Sequence, residues 1–185
     1  MELGTERLRL RQWRDDDRDP FAALNASPIV MEYFPARMTR AQSDAFVDRM
    51  ATRIASDGWG LWALEVADTG EFVGFTGLSV PRFDAHFTPA VEIGWRLAPA
   101  AWGHGYASEA ARCALAYGFG SLDLDEIVSF TARANLRSQA VMQRIGMSHD
   151  PADDFKHPNL PAESPLRDHV LYRVRPGAAE SRTKP

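Results

Sequence analysis

Apolar and polar residues follow spacings along the chain that predict both strands and helices. Residues 5–13 alternate strictly, with Leu8 and Leu10 on one face and arginines on the other, which predicts a half-exposed strand. Residues 60–66 and 71–80 are rich in aromatic and β-branched side chains and are joined by a short turn. These two segments therefore predict a β-hairpin.

Helical spacing predicts three further segments. Thr39 and Gln42 form a capping box ahead of an apolar stripe, so a helix is expected to begin there. Small apolar residues recur every three or four positions over residues 107–122, which predicts a helix packed closely on a sheet. Asn135 is a favourable N-cap for a helix that Gly146 ends.

The order of these elements predicts the architecture. The pattern β-α-α-β-β-β-α-β-α-β is completed by a short helix at residues 20–25 and by strands at residues 90–97, 126–131 and 169–175. We expect one mixed α/β domain over residues 1–175, with a central sheet and helices on both faces. Residues 176–185 have no apolar pattern and are expected to form a flexible tail.

Size and composition narrow the class of protein. The 185 residues are 45% hydrophobic and 25% charged, as in an ordinary globular domain. No stretch approaches the roughly 20 apolar residues that span a bilayer, and residues 1–18 lack the apolar segment of a signal peptide. A single cysteine, Cys113, cannot form an internal disulfide. A cytoplasmic protein with no membrane partner is expected.

The net charge and the spacing of the histidines argue against nucleic acid and metal ions as partners. A net charge of −4 disfavours nucleic acid, which is held by clustered Lys and Arg, and weakly favours cationic acceptors. The acidic run at residues 15–17 is interpreted as helix capping and solvation. The five histidines show no His-x-x-x-His spacing, so no metal site is expected.

A glycine-bearing turn lies between the strand at 90–97 and the next helix, and it reads Trp102-Gly103-His104-Gly105-Tyr106-Ala107-Ser108. Glycine lets backbone N–H groups approach a ligand closely, and the first N–H groups of a helix attract anions. The turn lacks the Lys-Ser/Thr of a triphosphatase loop and the third glycine of a dinucleotide fingerprint. On these residues alone it is either a simple tight turn or a pyrophosphate site of another kind.

This turn resembles the acyl-coenzyme A loop of the GNAT superfamily of N-acetyltransferases. Tryptophan at its first position, followed by Gly-x-Gly-Tyr-Ala-Ser-Glu-Ala, is similar to the RimJ/RimL-like branch, and the resemblance covers nearly the whole chain. It implies acetyl-CoA as acyl donor and direct transfer to an amine. It also implies that the parallel strands at 91–97 and 126–131 splay apart to admit the pantetheine arm.

The resemblance also implies which residues bind the donor. The backbone of the turn would hold the pyrophosphate, helped electrostatically by Arg96 or Arg137, and an amide near Ile93 or Gly94 would stabilise the oxyanion. The full set expected to contact acetyl-CoA is Ile93, Gly94, Leu97, Trp102, Gly103, His104, Gly105, Tyr106, Ala107, Ser108, Asn135 and Ser138.

The expected catalytic residues are Glu92, Asn135 and Ser138. Glu92 is a candidate base, acting directly or through water, although a plain sheet-surface charge remains an alternative. The resemblance gives Asn135 a hydrogen bond in the pantetheine channel and puts Ser138 near the sulfur. Met142 stands where many family members carry a proton-donating tyrosine, so Ser138 or water would protonate the thiolate.

The acceptor is predicted from amine pKa values. An α-amino group has a pKa of about 7.7 to 8.0 and a lysine amine one near 10.4, so freeing lysine costs roughly 3 kcal/mol more. Together with the resemblance to the RimJ/RimL-like branch, this difference makes a protein amino terminus the expected acceptor. A small-molecule primary amine or a non-catalytic acyl-CoA sensor are the alternatives, and a homodimer is left open. Aromatic residues are expected to line the acceptor site or pack in the core: Tyr33, Phe34, Trp59 and Trp62.

Overall fold

Four α-helices and nine β-strands occur in the computed structural model, which describes residues 2–177. The helices are α1 (Arg18–Ala26), α2 (Arg40–Asp57), α3 (Tyr106–Gly120) and α4 (Leu136–Arg144). The strands are β1 (Leu3–Gly4), β2 (Leu8–Arg11), β3 (Leu61–Val66), β4 (Phe72–Ser79), β5 (Glu92–Leu97), β6 (Ile127–Ala132), β7 (Ser148–His149), β8 (Phe155–Lys156) and β9 (Asp168–Val174). None of these helices has both the length and the apolar character needed to cross a membrane.

The predicted order of elements is confirmed, with two-residue strands added to it. The sequence pattern missed β1, β7 and β8, which are too short to show a period. Of the expected tail, residues 178–185 lie outside the part of the chain that the structure describes.

The strands form one mixed sheet, as expected. Its order is β1-β2-β3-β4-β5-β6-β9-β7, with β8 added beside β9. Neighbouring strands are antiparallel except β5 and β6, which run parallel and share a single register pair, Glu92 with Val128. Beyond that pair the ladder between β5 and β6 stops, so the predicted splay of the two parallel strands is confirmed.

Helices cover both faces of the sheet. On one face α3 approaches so closely that a Cβ on Gly118 would lie 2.7 Å from Cδ1 of Ile127 and 3.1 Å from Cδ1 of Leu78. On the other face the ring of Phe75 packs against Phe21 of α1 and Phe46 of α2, with centroids 6.0 and 5.5 Å apart. The small residues of α3 thus allow the close helix–sheet packing that their spacing predicted.

The predicted helix boundaries are also confirmed. The hydroxyl of Thr39 accepts from the Gln42 amide at 3.3 Å, and the Gln42 side chain accepts from the Thr39 amide at 2.8 Å. Gly58 ends α2 in the left-handed conformation. At the start of α4, Oδ1 of Asn135 accepts from the Ser138 amide at 3.2 Å. Local side-chain hydrogen bonds therefore set these helix ends.

One expectation for the first long strand was wrong. Arg11, predicted on the solvent face, is 3% exposed, because β2 is an interior strand and the start of α1 covers that face. Its guanidinium donates to Asp17 at 2.8 Å and to Glu65 at 2.6 Å. Asp17 is 2% exposed and accepts from the Arg14 amide at 2.8 Å, so the carboxylate caps the chain turn as expected but is not solvated.

We expect Arg11→Met to lower the free energy of unfolding by about 3 to 5 kcal/mol, because it leaves buried Asp17 without its counter-charge and buried Glu65 with only the exposed Arg14 close by. Arg9→Met is the matched control. Arg9 lies two residues away, its side chain is 52% exposed, and it approaches the same Glu65 only to 3.8 Å. Its loss should cost less than about 1 kcal/mol. Urea denaturation measures the free energy of unfolding of both variants. An equal loss of stability in Arg11→Met and Arg9→Met would contradict the prediction.

Candidate active site

A cavity of about 1020 Å³ lies where β5 and β6 diverge. Its walls come from the α1–α2 loop, β5, the turn before α3, the start of α4 and the segment ahead of β9. Fourteen predicted site residues line it: Tyr33, Phe34, Glu92, Ile93, Gly94, Leu97, Trp102, Gly103, Gly105, Tyr106, Ala107, Ser108, Asn135 and Ser138. Segments distant in sequence therefore meet in one cavity.

The glycine-bearing turn has the geometry that its sequence predicted. Gly103 and Gly105 both have φ of +81°, and Gly105 immediately precedes the first turn of α3. A Cβ added to Gly103 would meet no atom within 4 Å, so open space faces the turn there. The indole N–H of Trp102 donates to the Leu97 carbonyl at 2.9 Å and ties the turn to β5. Free amides at the start of α3 can thus face an anion.

The edge of β5 continues this surface. The Val91 carbonyl accepts from the Val128 amide and the Ile93 carbonyl from the Ser129 hydroxyl, each at 2.9 Å, so both face β6. Because alternate residues point the same way, the amide and carbonyl of Trp95 face the side from which β6 has diverged. An extended, amide-bearing arm could pair with them. Together the turn and this edge fit the pyrophosphate and pantetheine of acetyl-CoA.

Glu92 lies on the cavity floor beside Gly94. Its Oε1 is 3.8 Å from the position that a Gly94 Cβ would take, so the carboxyl leans over the gap left by the missing side chain. Burial raises the pKa of Glu92 to about 8, and the hydroxyl of Ser79, opposite it in the ladder, opposes the rise. The carboxyl can therefore gain and lose a proton near neutral pH.

Two arginines were candidates to assist the anion grip. Arg137 lies over the Trp102 ring at 4.7 Å, next to the turn, and donates to Glu32 at 2.8 Å. Arg96 instead donates to Asn25 of α1 at 2.6 Å, on the face of the sheet covered by α1 and α2. Of the two, Arg137 contacts the turn.

Hydroxyl groups line the α4 side of the cavity. The side-chain amide of Asn135 donates to Thr131 at 3.0 Å while its oxygen caps α4, so its orientation is fixed from both ends. Thr131 and Ser138 both line the cavity. Met142 is 1% exposed and packs in the core, away from the cavity.

Three predicted site residues do not line the cavity. Trp62 is fully buried and packs edge-on against Tyr117 of α3, with ring centroids 5.5 Å apart. Trp59 lies beside Arg53, and His104 stacks on Tyr106 at 5.4 Å. Core packing, the alternative weighed for the aromatic residues, describes Trp62. Tyr33 and Phe34, which belong to the α1–α2 loop, line the cavity.

Sequence reasoning missed residues that the fold brings to the cavity from β4, β6, β9 and the segment between β8 and β9: Ser79, Phe130, His157, Asn159 and His169. The rings of His157 and His169 lie 4.9 Å apart, and burial lowers the pKa of both, that of His169 to about 4. Both are neutral at pH 7. Within residues 2–177, no three His, Cys, Asp or Glu side chains are grouped to hold a metal ion.

Comparison with known protein families shows that residues 7–148 match the acetyltransferase (GNAT) domain. The uncharacterised protein YkkB of Bacillus subtilis is 35% identical over 148 residues, which cover 80% of this chain and 85% of YkkB. FsC-acetyl coenzyme A-N(2)-transacetylase of Aspergillus fumigatus is 33% identical over 156 residues, which cover 80% of this chain and 65% of that enzyme.

A solved structure shares the fold at lower identity. RimL, a ribosomal L7/L12 alpha-N-protein acetyltransferase in complex with coenzyme A, superposes with a TM-score of 0.74 at 15% identity. The match covers 95% of this chain and 98% of that one. The predicted resemblance to the RimJ/RimL-like branch is therefore confirmed as a likeness of fold.

Gly103→Ala is expected to weaken acetyl-CoA binding. Alanine at a φ of +81° adds about 1 to 3 kcal/mol of backbone strain. If the turn relaxes to avoid this strain, the dissociation constant rises roughly five- to hundredfold.

Gly120→Ala, at the last residue of α3, is the control. A Cβ there meets no atom within 4 Å and the residue has no positive φ, so binding should be unchanged. Calorimetric titration with acetyl-CoA measures both variants. An unchanged affinity in Gly103→Ala would contradict a role for the turn.

Proposed function

Because the chain belongs to the GNAT acetyltransferase family, we propose that it acetylates the α-amine at the amino terminus of a protein. The chain is an N-acetyltransferase that uses acetyl-CoA and an amine acceptor. The observation that carries the choice of acceptor is the carboxyl of Glu92, whose pKa burial raises to about 8.

Glu92 is matched to an α-amine. The pKa of an α-ammonium group is about 7.7 to 8.0, so its proton can pass to Glu92 with almost no cost in free energy. A lysine ammonium, near 10.4, would hold its proton about 3 kcal/mol more tightly against the same base. General base catalysis is most effective when the base titrates near the working pH. A single carboxyl base with a pKa near 8 therefore favours the α-ammonium group over the lysine ammonium group.

The other residues would bind and orient the reactants. The turn from Trp102 to Ser108 holds the pyrophosphate on backbone amides, and the open edge of β5 aligns the arm. Bound acetyl-CoA supplies the thioester that the free amine attacks. A backbone amide near Gly94 donates to the developing oxyanion. Ser138 protonates the leaving thiolate directly or through water, an undemanding step because a thiol pKa is about 8.5.

A small-molecule primary amine is the second candidate acceptor. The Aspergillus fumigatus relative is named as a transacetylase of FsC, and at 33% identity it favours this alternative. The cavity is enclosed by side chains from several segments, which also suits a compact acceptor.

The turnover number is expected to rise with pH and to level off above about pH 8, because Glu92 must be ionised to accept the amine proton. Glu92→Gln should lower kcat by about 10²- to 10⁴-fold and remove this rise. Ser79→Ala should move it to higher pH, because the Ser79 hydroxyl opposes the increase in the Glu92 pKa. Initial rates of thiol release between pH 6 and 10 test all three enzymes.

Peptides with free or blocked α-amines test the acceptor. We expect kcat/KM to be at least about tenfold higher for a peptide with a free α-amine than for an α-acetylated peptide with a free lysine, given the 3 kcal/mol difference in ammonium acidity. Mass spectrometry locates the acetyl group. Equal acetylation after blocking the α-amine, or turnover of polyamines and aminoglycosides only, would show that the acceptor assignment is wrong.

A further inference from the structure

A buried arginine lies on the acceptor side of the cavity. Arg96 is 8% exposed, and its side chain lines the cavity from the same face of β5 as Glu92 and Gly94. The guanidinium lies 4.1 Å from the ring centroid of Phe34 and 5.4 Å from that of Phe75. Arg96 therefore carries a positive charge between two aromatic rings, four residues along β5 from the candidate base.

The charge of Arg96 lacks an acidic partner. Its Nη1 donates to Oδ1 of Asn25 at 2.6 Å, while the buried Nε has no hydrogen-bond partner within residues 2–177. No carboxylate of the described chain lies within 4.0 Å of the guanidinium. Burial lowers the pKa of Arg96 to about 10, so the group stays charged at neutral pH.

Arg11 shows how this chain ordinarily accommodates a buried guanidinium. Arg11 is 3% exposed and pairs with two carboxylates, those of Asp17 and Glu65. Buried charges are costly unless they are paired. Arg96 is buried to a similar degree, but its partners are the neutral amide of Asn25 and the rings of Phe34 and Phe75. Among the described residues, Arg96 therefore lacks the anionic partners that Arg11 has.

The cavity itself does not supply that anion. Glu92 is the one acidic residue among the described residues that line the cavity, and at neutral pH it is mostly protonated. The nearby imidazoles of His157 and His169 are neutral. Although the whole chain carries a charge of −4, the acceptor side of this cavity is locally positive. An anionic group of the acceptor would meet no repelling charge there.

Spacing and shape are compatible with a carboxylate as the anion. Alternate residues on one face of a strand are about 7 Å apart, so Gly94 and Arg96 are within the reach of one amino acid. A guanidinium presents a planar fork of donors that matches a carboxylate. An amine placed over Gly94 and a carboxylate at Arg96 therefore belong to the same residue or small molecule.

We propose that Arg96 selects acceptors whose amine is accompanied by a carboxylate a few bonds away. This inference rests on the proposed amine acetylation. The carboxylate is either the side chain of an amino-terminal aspartate or glutamate in a protein or the carboxylate of a free amino acid. Arg96 is a specificity residue, and Glu92 remains the base.

Matched acceptor pairs test the selection on the unmodified enzyme. One arm compares peptides that begin with aspartate or glutamate with peptides that begin with asparagine or glutamine. The other arm compares free amino acids with their carboxamides, which separates the two sources of the carboxylate. In at least one arm kcat/KM should be about 10- to 100-fold higher for the carboxylate, mainly through KM, as expected for a charged hydrogen bond.

Two variants assign that preference to Arg96. Arg96→Gln should reduce the ratio between paired acceptors to about one, and Arg96→Lys should restore part of it, because lysine keeps the charge but not the fork. Arg133→Gln removes the same charge outside the cavity, where Arg133 pairs with Asp154, and should leave the ratio unchanged. Calorimetric titration with acetyl-CoA confirms that each variant is folded, because the donor site does not use Arg96.

The outcomes are distinct. Equal kcat/KM for both members of every pair in the unmodified enzyme would overturn the inference, and so would a preference that survives in Arg96→Gln. Because the first comparison needs no variant, it decides even if Arg96→Gln does not fold. Absence of turnover on every α-amine, with lysine side chains acetylated instead, would refute the proposed function. Turnover of α-amines without preference for a carboxylate would refute the selection alone.

Discussion

The candidate site depends on the way β5 and β6 separate after one point of contact. Parallel strands normally satisfy each other's backbone groups along their length. Here the ladder is limited to the pair of Glu92 and Val128. Next to this pair, the Ser129 hydroxyl donates a hydrogen bond to the Ile93 carbonyl. The edge of β5 that continues past this point keeps amides and carbonyls without a strand partner. A cavity of about 1020 Å³ forms there, and the turn and helix that follow β5 close one end of it.

Burial shifts the pKa values of two side chains on the cavity floor, Glu92 and Arg96, in opposite directions. It raises the pKa of Glu92 to about 8 and lowers that of Arg96 to about 10, because burial disfavours either charge. On the face of β5 that they share, the residue between them is Gly94, whose missing side chain leaves room for a ligand. Near neutral pH Glu92 can therefore exchange protons while Arg96 stays charged. The two roles we propose for this floor, activation of an amine by Glu92 and recognition of a neighbouring carboxylate by Arg96, both follow from this burial.

Packing around the floor explains why these groups hold their places. Asn25 accepts from Arg96 and donates to Ser43 of α2 at 2.9 Å, which links β5 to both helices on that face. On the opposite face α3 lies close to the sheet through Gly118, so the turn before α3 is held at the end of β5. The buried Arg11 joins β2, β3 and the start of α1. Rigid neighbours on both faces thus fix the geometry of the cavity.

The sequence by itself determined the helices, the long strands and the glycine turn, because these follow from local spacing and from caps such as Thr39 and Asn135. It also identified Glu92 and the turn as candidate chemistry. Only the tertiary structure decided that Arg11 is buried in an ion pair, that Trp62 lies in the core, and that Ser79 and His157 reach the cavity. Burial and the pKa shifts it causes arise from contacts between residues distant in sequence. No local pattern records those contacts, so the charge of the acceptor site became visible only in the fold.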